Sequence, residues 1–254
     1  MTIHLPALSG IILTYLLVFS RVGAMVMLLP AIGEAGVPAM VRLVLALAIS
    51  VALTPTVQSA YPGVAPQTMT GLVVLIVQEV TCGVLVGAMA RIIMSSLQVA
   101  GYLIATQTGL AYAQTIDPTQ GAQGAVLGNF MNILGVAMIF MTNLHHLAIG
   151  AIAGSYRLLR PGGHLPTSDM LQLVVQLTSS SFALGFQLAA PFLVFGFALY
   201  AGLGILARLM PQLQVFFVAV PLNIMCGFLI MLALIGALMS VFLNYYATSM
   251  AQFL

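Results

Sequence analysis

Six long apolar stretches occupy most of this chain, each bounded by Pro, Gly or one of a handful of charges. Inside a bilayer no water reaches the backbone, so its N–H and C=O groups must pair within a helix or around a closed barrel. The apolar-out, polar-in alternation of barrel strands is not visible, and the sequence therefore predicts helices. The stretches run from about Leu8 to Leu29, Val41 to Val57, Met69 to Met94, Ala125 to Ile152, Met170 to Leu206 and Leu213 to Phe242. The fifth exceeds one straight crossing, and a kink or break is expected at Pro191.

Charge explains why such a chain cannot be an ordinary soluble domain. About a quarter of the residues of a soluble domain are charged, against 4% here beside 62% hydrophobic. No basic run exists to neutralise phosphates, which excludes nucleic acid as a partner. The abundance of Leu, Val, Ile and Phe excludes disorder. Cys82 and Cys226 sit within apolar stretches and read as small hydrophobes, not as a disulfide or zinc framework. At about 20 residues per crossing the 254 residues hold roughly six to eight crossings and no separate soluble domain. Thr2, Ile3 and His4 stand where a secretory signal would carry Lys or Arg, so the first stretch is expected to be retained. If each stretch crosses once, Arg42, Arg91 and Arg208 fall on the cytoplasmic side and Arg157 with Arg160 opposite, placing both termini outside the cytoplasm.

One region departs from this pattern. Ser95 to Gly124 is rich in Ser, Thr and Gln and includes Asp117. Ile92 to Ala113 suits a helix with one polar face. Gly109 to Gly124, with Asp117-Pro118, cannot continue it. A polar, broken segment in so apolar a chain has to face water or protein.

Catalytic signatures are missing: no Gly-x-Ser-x-Gly, no phosphate-cradling Gly-Lys-Ser/Thr loop and no His-Glu-x-x-His. No enzyme activity, cofactor or metal is expected. His145-His146 is the one histidine cluster, and neighbouring helical side chains diverge by about 100°, which suits packing better than a shared metal. Arg21, Arg42 and Glu79 lie within apolar stretches, where an isolated charge costs about 3 kcal/mol, so each is expected to pair, snorkel or face protein, the alternative being that they line a conduction path. Gly83-x-x-x-Gly87, Gly124-x-x-x-Gly128 and Gly150-x-x-x-Gly154 permit close helix approach, and the 16 Met are adaptable packing residues.

Several short patterns follow one another along nearly the whole chain: Phe19-Ser20-Arg21-Val22-Gly23 followed by Pro30; Val37-Pro38-Ala39-Met40-Val41-Arg42 with Thr54-Pro55; Gln107-Thr108-Gly109-Leu110 and Asp117-Pro118; Asn143-Leu144-His145-His146; Ala190-Pro191; and Gly204 through Arg208-Leu209-Met210-Pro211-Gln212 to Phe216. In that order they resemble the FliR family of flagellar export-gate proteins and its type III secretion counterparts, the SctT proteins. The resemblance implies an all-α, polytopic membrane subunit of about six helices, several kinked or broken, forming one export-gate domain over residues 1–254. Its partners would be several copies of FliP and FliQ, with FlhB in contact, in the bacterial inner membrane at the flagellar basal body. Its cargo would be unfolded flagellar proteins, and much of its apolar surface would meet partner subunits as well as lipid.

The family's channel plug matches Gly109 to Gly124, with Gly109, Tyr112, Gln114, Asp117, Pro118, Gln120, Gly121 and Gly124 as its candidate residues. Arg21, Arg42, Arg208 and Gln212 match family motif positions. With Glu79, His145, His146 and Pro211 they are candidates for orienting helices or holding partners. An injectisome subunit and a stand-alone small-solute or ion transporter are the alternative functions. The His145-His146 and Met210-Pro211-Gln212 regions favour the flagellar branch.

Overall fold

The computed structural model describes residues 10–34, 36–61, 68–110, 126–163, 166–210 and 215–253. Seven α-helices make up these residues: α1 (Gly10–Val26), α2 (Ala39–Val57), α3 (Met69–Gln107), α4 (Val126–Met141), α5 (His145–Leu158), α6 (Thr167–Leu209) and α7 (Val215–Ala251). A 3-10 turn, Gln58–Ala60, extends the end of α2. Four helical segments are long and apolar enough to cross a membrane, five if the bent pair α4 and α5 counts as one. This is a multi-pass membrane protein.

The helix bounds depart from the apolar stretches in two places, the first of them in line with the polar-faced helix expected over Ile92 to Ala113. The helix begun by the third stretch runs on through the polar residues to Gln107. At 1.5 Å per residue its 39 residues extend about 58 Å, well beyond a hydrocarbon core about 30 Å thick. Of the kink or break expected at Pro191, the break is not seen: α6, 43 residues long, continues through it. Proline costs one backbone hydrogen bond, which a long helix packed among others tolerates. The fourth stretch is the one that breaks, with α4 and α5 meeting at 79°. Asn143 adopts φ 59° there, a left-handed conformation that asparagine tolerates better than most residues. Its N–H bonds the Phe140 carbonyl, closing the helix end.

The chain forms two compact units. The first contains residues 1–93, 140–177 and 247–254, the second 94–139 and 178–246. In the first, Leu17, Val18, Val22 and Met25 of α1 are buried, as are Val86, Met89 and Ala90 of α3 and Ile152 of α5. Gly83 and Gly87 let α1 approach α3. A Cβ on Gly83 would fall onto the Arg21 carbonyl oxygen, and one on Gly87 would lie 3.0 Å from the Met25 carbonyl oxygen. In the second, Leu97, Ile104, Met131, Leu188, Phe192 and Phe242 form the core, and Gly101 meets the backbone of Gly128.

Hydroxyls within the apolar helices are absorbed locally, which removes the cost of burying them. Ser50 and Thr54 donate to the carbonyls four residues back, both at 2.6 Å. Large apolar side chains remain outside, among them Val194 and Phe197 of α6 and Leu229 and Leu232 of α7. A water-facing protein rarely displays apolar patches of that kind; lipid or other subunits must cover them.

Candidate functional site

Two polar constellations stand out, one in each unit. In the second unit, the last turn of α3 is held from several sides just before the candidate plug begins. The Thr108 hydroxyl donates to the Ile104 carbonyl at 2.9 Å. The Asn223 side-chain amide of α7, 3% exposed, donates to the Gln107 carbonyl at 2.8 Å. That bond satisfies one of the carbonyls a helix end leaves without an intrahelical partner. Gly196 of α6 faces the Gln107 side chain, and Gly227 of α7 faces that of Thr108, each so closely that a Cβ would overlap it. Gly109 then turns the chain with φ 79°, a conformation glycine adopts at little cost. The helix therefore ends at a clamped root from which the polar segment departs. Of the candidate plug residues, Gly109 lies at that root; Tyr112, Gln114, Asp117, Pro118, Gln120, Gly121 and Gly124 lie outside the described residues.

In the first unit, Arg21 and Glu79 find each other. Arg21 Nε donates to Glu79 Oε2 at 2.6 Å and Nη2 to Oε1 at 3.2 Å, the two-pronged geometry that makes guanidinium–carboxylate bonds strong. The side chains are 0% and 1% exposed. The remaining donors reach the Ser155 hydroxyl at 3.3 Å and the Leu159 carbonyl at 3.0 Å. The guanidinium carbon lies 4.0 Å from the centre of the Tyr156 ring, a cation–π contact. One arginine thus ties α1 to α3 and to the end of α5. The neighbouring Gln78 adds a bond to the Gly163 carbonyl at 2.8 Å. Tyr61 packs beside Tyr156 with ring centres 6.2 Å apart, and both hydroxyls are buried without a hydrogen-bond partner among the described residues.

The other candidates are scattered. Arg42 is half-buried on α2, with Nη1 4.0 Å from the Met27 sulfur. Arg208 is exposed in the last turn of α6, where a positive charge complements the helix dipole. His145 opens α5, stacks on Phe140 at 5.0 Å and lies 4.2 Å from the His146 ring. Among the described residues no three His, Cys, Asp or Glu gather as metal ligands would. Pro211 and Gln212 lie outside the described residues.

Sequence reasoning did not single out Ser155, Tyr156, Tyr61 or Asn223. The signal for Asn223 was available: an amide inside an apolar stretch needs a partner. For the tyrosines there was none, since only folding places them beside the ion pair.

The profile described as "Bacterial export proteins, family 1" matches residues 12–249. The flagellar biosynthetic protein FliR of Caulobacter vibrioides is 41% identical over 88% of this chain and 89% of its own length. That of Bacillus subtilis is 28% identical over 92% and 90%. The Yop proteins translocation protein T of Yersinia pestis is 27% identical over 84% and 82%. With nearly the whole chain matched to the profile, this protein belongs to family 1 of the bacterial export proteins.

Proposed function

We propose that the chain is a non-enzymatic, channel-forming subunit of the flagellar type III export gate. It sits in the inner membrane at the basal body, assembles with several copies of FliP and FliQ and contacts FlhB. Unfolded flagellar proteins pass through the assembly. Family membership and the relative named flagellar biosynthetic protein FliR support the flagellar assignment. The single structural observation that carries the gate role is the clamped end of α3. A 39-residue helix delivers a polar, glycine-containing segment from a fixed root at Gln107 to Gly109. Residues 109–124 then form the plug. A fixed root with a helix-breaking, wettable segment beyond it is what a displaceable closure requires. Residues 1–254 act as one export-gate domain, and Arg21, Glu79, Arg42, His145, His146, Arg208, Pro211 and Gln212 orient helices or hold partners.

The exposed apolar faces of α6 and α7 support burial against other subunits as well as lipid. A stand-alone transporter would need a midplane carboxylate available to a coupling ion, and Glu79 is occupied by Arg21. The injectisome alternative draws on the Yersinia relative, at lower identity than the Caulobacter one.

Deleting Thr115 to Gly121 should raise small-ion leak through the membrane-embedded complex, and unchanged leak removes the plug. A deletion strain should be non-motile; intact motility with lost effector secretion moves the protein to the injectisome branch. Arg21→Ala and Gln212→Ala, co-expressed with FliP and FliQ, should lower complex yield. Normal yield and normal secretion sink their assigned roles.

A further inference from the structure

We propose that a hollow between the end of α2 and the second half of α5 binds the head group of a phospholipid carrying a phosphate and a primary ammonium. The hollow has a volume of about 440 Å³ and is lined from one side by Thr56, Val57, Ser59 and Ala60 and from the other by Gly150, Ala153, Gly154, Tyr156 and Arg157. That volume falls in the range of small-molecule sites and is too small for several turns of a docked helix. Along this wall the Gly150-x-x-x-Gly154 spacing, with Ala153, removes the side chains that would otherwise fill the space.

Its depth and chemistry fit a head group. The candidate span that includes α2 ends at Ala60, which puts the hollow at the end of a segment long and apolar enough to cross a membrane, the level at which head groups would meet it. Val57, Ala60 and Ala153 add apolar lining and Ser59 a hydroxyl, while the Thr56 hydroxyl donates to the Leu53 carbonyl at 2.7 Å and keeps only its acceptor side for a ligand. Arg157 is its one charged lining residue. A guanidinium has five donors, so a protein neighbour and a phosphate are compatible on it, and basic pockets between membrane helices bind lipid phosphates.

The lipid's second charge follows from the helix ends. α2, with its 3-10 turn, and α5 both finish beside the hollow, so both contribute the partially negative, carbonyl-bearing end of a helix. A lone anion would meet Arg157 favourably and both helix ends unfavourably. A zwitterion satisfies both, with phosphate on Arg157 and ammonium among the carbonyls. The site is independent of the gate assignment, because every lining residue belongs to this chain.

The test is lipid retention by the full chain, purified in mild detergent and incubated with vesicles of equal parts phosphatidylethanolamine, phosphatidylglycerol and phosphatidylcholine, then read by native mass spectrometry. One phosphatidylethanolamine per chain should be retained in preference to the other two. Arg157→Gln should lower retention about fivefold, and Ala153→Leu should abolish it by filling the hollow. Ser59→Leu fills it from the opposite wall, should Ala153→Leu fail to fold. Preference for phosphatidylglycerol, equal retention of phosphatidylethanolamine and phosphatidylcholine, or retention unchanged in these variants overturns the proposal. So does displacement by soluble phosphoethanolamine at the lipid's own concentration, which would identify a free phosphate compound as the ligand. A photoreactive residue at position 59 that labels a polypeptide in native membranes instead of lipid overturns it too.

Discussion

Replacing Glu79 with Gln should cost far more than its small change in shape suggests. Arg21 is 0% exposed and uses two donors on the Glu79 carboxylate at 2.6 and 3.2 Å. Without that charge, the guanidinium keeps the Ser155 hydroxyl, the Leu159 carbonyl and the Tyr156 ring, none of which is an anion. Breaking a buried ion pair by removing one partner costs about 3–5 kcal/mol, on the order of 10 °C in melting temperature for a chain of this size. Replacing both partners with apolar residues of similar volume, Arg21→Met with Glu79→Leu, should recover most of the loss, because no charge is then left buried.

Cys82 provides the readout: its thiol is 1% exposed and lies one helical turn from Glu79. A thiol-reactive dye therefore reports the opening of this unit, in a Cys226→Ala background since that second thiol is half-buried. A single Glu79→Gln variant melting with the wild type, or a double variant as unstable as the sum of the singles, would refute the assignment of the pair as a coupled, charge-compensated tie.

Gly83→Val should destabilise the first unit by about 1–3 kcal/mol, because the added Cβ falls onto the Arg21 carbonyl oxygen; the same dye assay measures it. Gly202→Ala, where a Cβ meets open space within 4 Å, should leave the stability of the isolated chain unchanged or raise it by at most about 1 kcal/mol, read from its melting temperature. Asn223→Ala removes the donor to the Gln107 carbonyl and should cost about 1–3 kcal/mol. Amide exchange should then quicken over the last turn of α3, and ion leak should rise as in the plug deletion. Gly227→Leu, aimed at Thr108 from α7, should raise leak as well, whereas unchanged leak in both variants would separate the root of the segment from its closure.

The family was legible in motif order because those residues recur at characteristic positions along nearly the whole chain. The helical, membrane-embedded character was legible because it follows from backbone pairing in a solvent without water. Apolar pattern alone misplaced two boundaries, the end of α3 and the break between α4 and α5. Pro191 and Asn143 illustrate why: proline carries the stronger helix-breaking propensity, yet α6 continues through Pro191 while the chain turns at Asn143. Neighbouring helices decide whether one missing hydrogen bond is tolerated, and a single residue's propensity does not encode those neighbours. The candidate sites divided in the same way.

Sequence alone determined that Arg21 and Glu79 could not stand as isolated charges in lipid and had to pair, snorkel or face protein, since a lone charge in an apolar stretch is costly. Only the tertiary structure decided that they are each other's partner, 58 residues apart, and that Ser155, Leu159 and Tyr156 complete the enclosure. It likewise decided that Asn223, 116 residues along the chain from Gln107, holds the end of α3. Solvation cost is a local property that composition reveals, whereas the group that relieves it is chosen by packing across the whole chain.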